Sequence, residues 1–202
     1  LKDMVHANYK KKDIAGMTAS EQLEKINERT RELVTLQYNT YNRSLVPLMH
    51  QHGIVVMDAF EDLSEAQAAF VDRYFEDNVY PVLTPMAVDA SRPFPLIRNK
   101  TLNIAALLSK KKGKAEKEEI EFATVQVPSV LPRLVHIPSE DGNEKTFILL
   151  EQVIERNIDK LFLNYDVLCA YPYRVMRNAD LSIDEDEAAD LLKEIQKQLK
   201  MR

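Results

Sequence analysis

The chain has 202 residues, 45% hydrophobic and 29% charged, which is enough for one medium domain or two small ones around a packed core. Its net charge of -5 at pH 7 argues against a dedicated nucleic-acid-binding protein, because the surface of such a protein is basic. The single cysteine, Cys169, excludes an internal disulfide and a CxxC pair, so we expect a reducing compartment and an inert, packed thiol. No apolar run is long enough to span a bilayer, and no secretory signal opens the chain.

The first part of the chain is predicted to be helical. Residues 1–17 show no sustained period and carry a basic run, Lys10 to Lys12, which favours a solvated linker over a phosphate contact. Thr18 and Glu21 have the spacing of a capping box, which predicts a helix start. A long amphipathic helix should follow as far as Gly53, with Pro47 bending it or ending it early. Its apolar positions are Leu23, Ile26, Leu33, Leu36, Tyr41, Leu45 and Leu48.

Three features suggest a piece of a longer protein. One long helix cannot bury its own apolar stripe, and only one further helix follows before the strands begin. The chain opens on Leu1 rather than on methionine, and its last helical pattern reaches Arg202 without a glycine or proline stop signal. We therefore expect part of the function to lie outside this sequence.

A second helix and a proline-rich joint come next. Ile54 to Met57 is a short apolar run that suits a brief strand or an extended linker. Ser64 and Gln67 form another capping-box pair, which predicts a helix to about Val79. The stretch from Tyr80 to Leu108 contains four prolines, so no helix should run through it.

Beyond the joint, short strands are predicted to alternate with helices. Strands are expected at Leu102 to Leu108, Phe122 to Val127, Leu134 to Ile137 and Val167 to Arg177, with Pro172 favouring an edge or a bulge in the last of these. Thr146 to Leu149 is another apolar run, and a helical face spans Val153 to Phe162. The predicted fold class is α+β, with N-terminal long helices followed by a small mixed or antiparallel sheet packed with helices. The predicted domains are residues 1–80 and 81–202.

Several charged or ligand-like clusters have simpler interpretations. His50 and His52 differ by two positions and do not face the same way on a helix, so they suit a helix C-terminus better than a metal site. The mixed-charge run Lys110 to Glu119 suits a solvated hairpin connection. The acidic cluster Asp184 to Glu187 suits the first turn of a helix better than a divalent metal. That helix would place Ala188, Leu191, Leu192, Ile195 and Leu199 on one face.

No complete active site is visible in the sequence. The four glycines lie too far apart for a GxGxxG or Walker loop, and no HExxH or GxSxG motif is present. We therefore assign no catalytic, cofactor-binding or metal-binding residue from the sequence. His6 and His136 have no supporting motif.

Four long sequence segments, which occur in the same order as in a known protein family, resemble that family. The joint YPVLTPMAVDASRPFPLIRNKTLNIAALL resembles the entry to the middle domain of bacterial polyphosphate kinases, and so do VPSVLPRLVHIP, FILLEQVIERNIDKLF and AYPYRVMRNADLSIDEDEAADLL. The leading helix, TASEQLEKINERTRELVTLQYN, resembles the last long helix of that family's N-terminal domain. The resemblance therefore implies the end of the N-terminal helical domain followed by the middle, or head, domain.

The resemblance implies a phosphotransferase that reversibly moves the terminal phosphate of ATP onto inorganic polyphosphate, with magnesium and a phosphorylated histidine. In the family, that histidine and the adenine contacts lie outside the region covered here, so we expect the fragment alone to be inactive and to bind neither ATP nor Mg²⁺ firmly. Its implied roles are tunnel scaffolding and oligomerisation of the parent enzyme as a homodimer or tetramer. The implied location is the cytoplasm or the inner face of the membrane, with no nucleic-acid partner.

Four arginines lie within the segments that resemble the family, rather than in the lysine-rich run Lys110 to Glu119. They are Arg92, Arg98, Arg174 and Arg177. They are candidates for contacts with polyphosphate or with neighbouring domains, and ordinary surface charge is the alternative. The alternative for the whole chain is a non-catalytic protein-interaction α+β module, which would equally lack an active site.

Overall fold

The computed structural model describes residues 1–88, 95, 97–110, 120–139, 142 and 144–176. The chain divides into two compact units, Leu1–Ile54 and Val55–Arg202. Within the described part, no helix combines the length and the apolar character needed to cross a bilayer.

The first unit is helical. Its elements are α1 (Lys2–His6), α2 (Ala19–Thr40), a π-helical turn (Tyr41–Leu45) and α3 (Val46–Gln51). The predicted capping box at Thr18 is confirmed, because the Thr18 hydroxyl accepts the Glu21 amide and the Glu21 carboxylate accepts the Thr18 amide at 2.7 Å. The long predicted helix is confirmed too, although its path is interrupted at the π turn just before Pro47. α1 lies in the segment predicted as a linker and ends where Asn8 adopts a positive φ of 54°.

The division between the units falls within strand β1 (Ile54–Val56), which is followed by a 3-10 turn (Phe60–Asp62) and α4 (Glu65–Tyr74). The predicted capping box of Ser64 and Gln67 is present. α4 continues as a π turn, Phe75–Val79, and as a 3-10 turn, Tyr80–Val82, so the helical segment stops at the first prolines of the joint as predicted.

Two sheets make up the rest of the described unit. Its further elements are β2 (Pro85–Val88), β3 (Leu102–Lys110), β4 (Ile120–Gln126), β5 (Leu134–Ile137), β6 (Lys145–Leu149), α5 (Leu150–Arg156), a 3-10 turn (Ile158–Leu161) and β7 (Tyr165–Arg174). The strand orders are β1-β6-β5 and β2-β4-β3-β7. β3 pairs antiparallel with both β4 and β7. The predicted α+β class is confirmed.

Strand β7 occupies the edge that its proline favours. Among the described strands it pairs with β3 alone, and Pro172 lies opposite Ile104 in that ladder. A register shift between Leu107 and Leu108 leaves Leu168 without a partner across the ladder. Strand β2 was not predicted as a strand, because its sequence was interpreted only as part of the proline-rich joint.

The core of the second unit joins α4 and α5 to both sheets. Val71, Phe75 and Val79 are fully buried and belong to the same apolar cluster as Ile104 of β3 and Ile148 of β6. These contacts place α4 with the sheets. The compact units accordingly divide between Ile54 and Val55, whereas the boundary predicted from the sequence lay between residues 80 and 81.

Several predictions fall outside the described residues. They are the connection at 111–119, the acidic cluster Asp184 to Glu187 and the helix predicted after it.

Candidate functional site

A tight turn ahead of β3 presents two exposed cations. Ile97 is 5% exposed and anchors the turn in the protein. The Arg98 carbonyl accepts the Thr101 amide at 3.3 Å and the Thr101 hydroxyl at 2.9 Å. Lys100 adopts a φ of 63°, in the left-handed region that residues other than glycine seldom occupy. The turn therefore holds Arg98 and Lys100 two residues apart in a defined local geometry.

The end of β7 brings a third cation to the same place. Leu102 pairs with Arg174 in the ladder between β3 and β7, and the Lys100 amide donates to the Val175 carbonyl at 2.8 Å. Arg98, Lys100 and Arg174 are all exposed. We call these three residues the basic corner, which lies at the end of the four-stranded sheet where β3 starts and β7 finishes.

The basic corner is suited to anions. Within the described part of the chain, none of its three side chains is ion-paired, whereas Arg133, Arg156 and Lys160 each contact a carboxylate. Guanidinium groups present a planar fork of N–H donors that matches the oxygens of phosphate and carboxylate, and the lysine ammonium adds a point charge. The corner contributes binding groups only, because it contains no nucleophile and no general base.

Two of the four arginines predicted from the sequence meet here. Arg98 and Arg174 lie at the same sheet end, while Arg92 and Arg177 fall outside the described residues. Lys100 was missed by the sequence analysis. Its only local signal was the turn-prone Asn99 beside it, and the neighbourhood of Arg174 depends on strand pairing that the local sequence does not specify.

The histidines do not assemble a reactive centre in the described structure. His50 and His52 are exposed at the end of α3, and His6 is exposed at the end of α1. His136 is exposed on β5 with its ring edge-on to Phe147, the centroids lying 5.3 Å apart. Among the described residues, no group of three or more His, Cys, Asp and Glu side chains could hold a metal ion.

A cleft of about 400 Å³ lies at the start of α4 but does not suit a phosphate. Two carboxylates, Asp62 and Glu144, line it. The Gln67 amide donates to the Pro138 carbonyl at 3.0 Å, and its oxygen accepts the Ser64 amide at 3.2 Å, so its side chain is already engaged. The negative lining would repel an anionic ligand.

Ion pairs fasten the α5 region to its surroundings. Arg156 donates two hydrogen bonds to Asp72, at 2.8 and 3.0 Å, which lowers the pKa of Asp72 and raises that of Arg156. Arg133 donates to both carboxylate oxygens of Glu151, whose hydrogen bonds raise the pKa of the guanidinium. The third pair is Lys160 with Glu76, at 2.8 Å. These pairs stabilise packing and leave the basic corner as the candidate binding surface.

Comparison with known proteins covers the whole chain. The family model of the polyphosphate kinase N-terminal domain matches residues 1–57, and that of the polyphosphate kinase middle domain matches residues 66–202. Proteins named polyphosphate kinase from Lactiplantibacillus plantarum and Halalkalibacterium halodurans are 50% and 47% identical to the chain over its full length. The crystal structure of polyphosphate kinase from Porphyromonas gingivalis matches 90% of the chain with a TM-score of 0.65 and 25% identity.

The chain spans only part of these proteins. It covers 27% of the Lactiplantibacillus protein, 28% of the Halalkalibacterium protein and 30% of the Porphyromonas chain.

Proposed function

Since the chain belongs to the polyphosphate kinase family, we propose that it serves an enzyme that reversibly transfers the terminal phosphate of ATP to inorganic polyphosphate. The observation that carries this proposal is the match of two consecutive domain models, in family order, to residues 1–57 and 66–202. Such transfer depends on positioning and on cationic stabilisation of phosphate oxygens, and a histidine nucleophile would divide it into two displacements.

The phosphorylated histidine of this proposal lies outside the present chain. In the described structure His6, His50, His52 and His136 are all exposed, and no carboxylate contacts any of them to orient its ring. The described residues also lack a carboxylate cluster suited to magnesium, so no step that needs this ion is assigned to them.

The 202-residue chain alone should therefore be inactive. The test is incubation of the purified chain with ATP, Mg²⁺ and a polyphosphate primer, with ADP and polymer measured separately. The full-length Lactiplantibacillus protein, assayed in parallel, is the positive control. Polymer synthesis by the chain above the blank would contradict the proposal.

Within the enzyme, the proposed role of this chain is scaffolding and oligomerisation. The exposed apolar side chains of α2 support an interface role, since Leu33 is 50% exposed and Leu36 is 63% exposed. Light scattering of the chain over a range of concentrations tests self-association. A monomer at every concentration would remove oligomerisation from the role of this segment.

The basic corner is proposed to contact polyphosphate or an adjoining domain of the enzyme. Its three exposed cations lack ion-pair partners in the described structure, which supports an anionic partner. The other two candidate arginines, Arg92 and Arg177, lie outside the described residues.

The two partners of the basic corner can be separated by experiment. The variant Arg98→Gln with Arg174→Gln is compared with the control Arg31→Gln with Arg73→Gln, which removes the same charge from exposed sites elsewhere. If polyphosphate is the partner, binding to the chain should weaken about tenfold, and the dependence of log K on log salt should flatten by about 0.7 per lost contact. If an adjoining domain is the partner, polyphosphate binding is unchanged and the kinetics or assembly of the full-length enzyme changes. No difference from the control in any of these measurements would leave ordinary surface charge.

A further inference from the structure

A half-buried carboxyl on α5 has no compensating partner. Glu155 lies one turn after Glu151, and in the described structure its carboxyl group has neither a hydrogen bond nor an ion pair. Glu151 is 4% exposed and is held by Arg133. Burying an ionised carboxylate without such a partner is unfavourable, so the environment of Glu155 favours its protonated form.

In the described part of the chain, the cations that form ion pairs on or next to α5 are held by carboxylates other than Glu155. Arg156, at the end of α5, pairs with Asp72, while Arg133 and Lys160 from neighbouring segments pair with Glu151 and Glu76. The charged groups that act directly on Glu155 are both carboxylates: Glu151 of the same helix and Glu61 of the 3-10 turn Phe60–Asp62. Burial, followed by repulsion from these two groups, raises the pKa of Glu155 to about 7.

The turn that carries Glu61 is fastened to α5 by few contacts. The Gln152 amide donates to the Asp58 carbonyl at 2.6 Å, while the Gln152 oxygen is buried without a described partner. Phe60 and Leu63 are partly buried against the core of the second unit. A charge at Glu155 would therefore act on a segment that one side-chain hydrogen bond and two partly buried apolar side chains hold in place.

We propose that the carboxyl cluster of Glu61, Glu151 and Glu155 is a proton-dependent latch, which holds residues 58–63 against α5 when Glu155 is protonated and loosens them when Glu155 ionises. Ionisation places a third negative charge beside Glu61 and Glu151, and Arg133 remains held by Glu151. Opening relieves both the repulsion and the burial of the new charge. The latch depends on the local cluster and is independent of the phosphotransfer proposal.

The direction of the pH effect follows from the two protonation states. A carboxyl whose pKa is higher in the closed state than in the open state binds more protons when closed. The closed state is therefore favoured at low pH, and this preference is lost as the pH rises through 7. If Glu155 has an ordinary glutamate pKa in the open state, the opening equilibrium increases by up to about tenfold per pH unit between pH 5 and 7, and then levels off.

Amide hydrogen exchange of the 202-residue chain, corrected for intrinsic rates, tests the latch. The amides to follow are those of Asp62 and Leu63, which are bonded within the turn, and the amide of Met57, which donates to the Phe147 carbonyl at 2.8 Å. Their protection should fall between pH 5 and 7, while that of Val127, bonded to the Leu102 carbonyl in the other sheet, should not. In Glu155→Gln the three amides should stay protected across this range.

A carboxyl ¹³C titration and a control variant complete the test. The Glu155 signal, assigned by its loss in Glu155→Gln, should titrate near pH 7. The control Glu28→Gln removes an exposed carboxylate from α2 and should leave the pH dependence of protection unchanged. A Glu155 midpoint near 4.5 would overturn the latch. So would a midpoint near 7 without any change in the protection of residues 57–63.

Discussion

Replacing Arg133 with methionine removes the cation that pairs with the buried carboxyl group of Glu151. Arg133 donates from its Nε to Glu151 at 3.1 and 3.2 Å, and its Nη2 approaches the same carboxylate at 2.5 Å. The exposure of the two partners is unequal, because the Glu151 side chain is 6% exposed and the Arg133 side chain 58%. Removing the arginine leaves the buried carboxyl group without its counter-charge, whereas removing the glutamate leaves the cation largely in water.

This inequality sets the expected magnitudes. Removing one member of a fully buried pair costs about 3–5 kcal/mol. Since Arg133 is more than half exposed, water already screens the pair, and we expect Arg133→Met to lower the free energy of unfolding by about 2 kcal/mol. Glu151→Gln retains the shape of the buried side chain and leaves the exposed partner solvated, so it should cost about 1 kcal/mol.

Urea unfolding measures the difference if it is followed on hydrogen-bonded backbone amides of the second unit, such as those of Val127 and Leu150. Both reporters lie in the second unit, which contains the ion pair. Arg73→Met, at an exposed position on α4, is the matched control and should change stability by less than about 0.5 kcal/mol. The reasoning is refuted if Glu151→Gln destabilises the unit as much as Arg133→Met, because the unequal exposure would then have no energetic consequence.

Three other substitutions probe the packing of α4 and α5. Ile154→Ala opens a cavity at a fully buried position and should lower the free energy of unfolding by about 3 kcal/mol in the same urea assay. Ser64→Ala removes the hydroxyl that accepts the Gln67 backbone amide at the start of α4. It should lower the free energy of unfolding by about 1 kcal/mol, measured as a lower urea midpoint at unchanged m-value. Asp72→Asn should cost about 0.5–1 kcal/mol at pH 7, because the pair with Arg156 is partly exposed. The lowered pKa of Asp72 gives a contribution that is complete above its ordinary value of 3.8 and disappears as the pH falls through the lowered pKa, so the variant and the parent should converge in stability at strongly acidic pH.

Local sequence signals predicted the positions of the helices and strands better than the tertiary contacts that these elements make. Capping spacing located the starts of both long helices, and apolar periodicity located β3, β4 and β5. The second unit includes α4 because Val71 and Phe75 face the sheets, a contact that no local pattern contains. Strand β2 was missed because its ladder with β4 is formed by residues distant in sequence.

The candidate site shows the same division between local and non-local information. Arg98 and Arg174 could be singled out one at a time by their positions in the segments that resemble the family, but only the register of β3 with β7 places them together. Lys100 joins them through the hydrogen bond that its backbone amide donates to the Val175 carbonyl and through its left-handed backbone, neither of which a lysine in the sequence would suggest. The uncompensated position of Glu155 likewise depends on Glu61 in a separate turn and on cations already held by other carboxylates.

Pro47 and Pro81 have the same local effect on the helix that precedes them, but the chain continues differently after each. Pro47 and Pro81 are each preceded by a π turn that ends two residues earlier, and in each case the residue before proline donates its amide to the carbonyl five residues back: Val46 to Tyr41, and Tyr80 to Phe75. Because proline lacks an N–H and its ring collides with the carbonyl four residues back, a wider turn relieves the conflict at both places.

The chain nevertheless continues differently after the two prolines. At Val46 the α-helix resumes as α3, with Pro47 in its first turn, and it continues because no further proline follows before Gly53. Beyond Pro81 a second proline, Pro85, comes four residues later and disfavours helical geometry at Thr84. Pro85 then opens β2, where a residue without an amide donor is tolerated at the start of a strand. One proline thus widens a helix that continues, and a pair at this spacing converts the helix into the first strand of the four-stranded sheet.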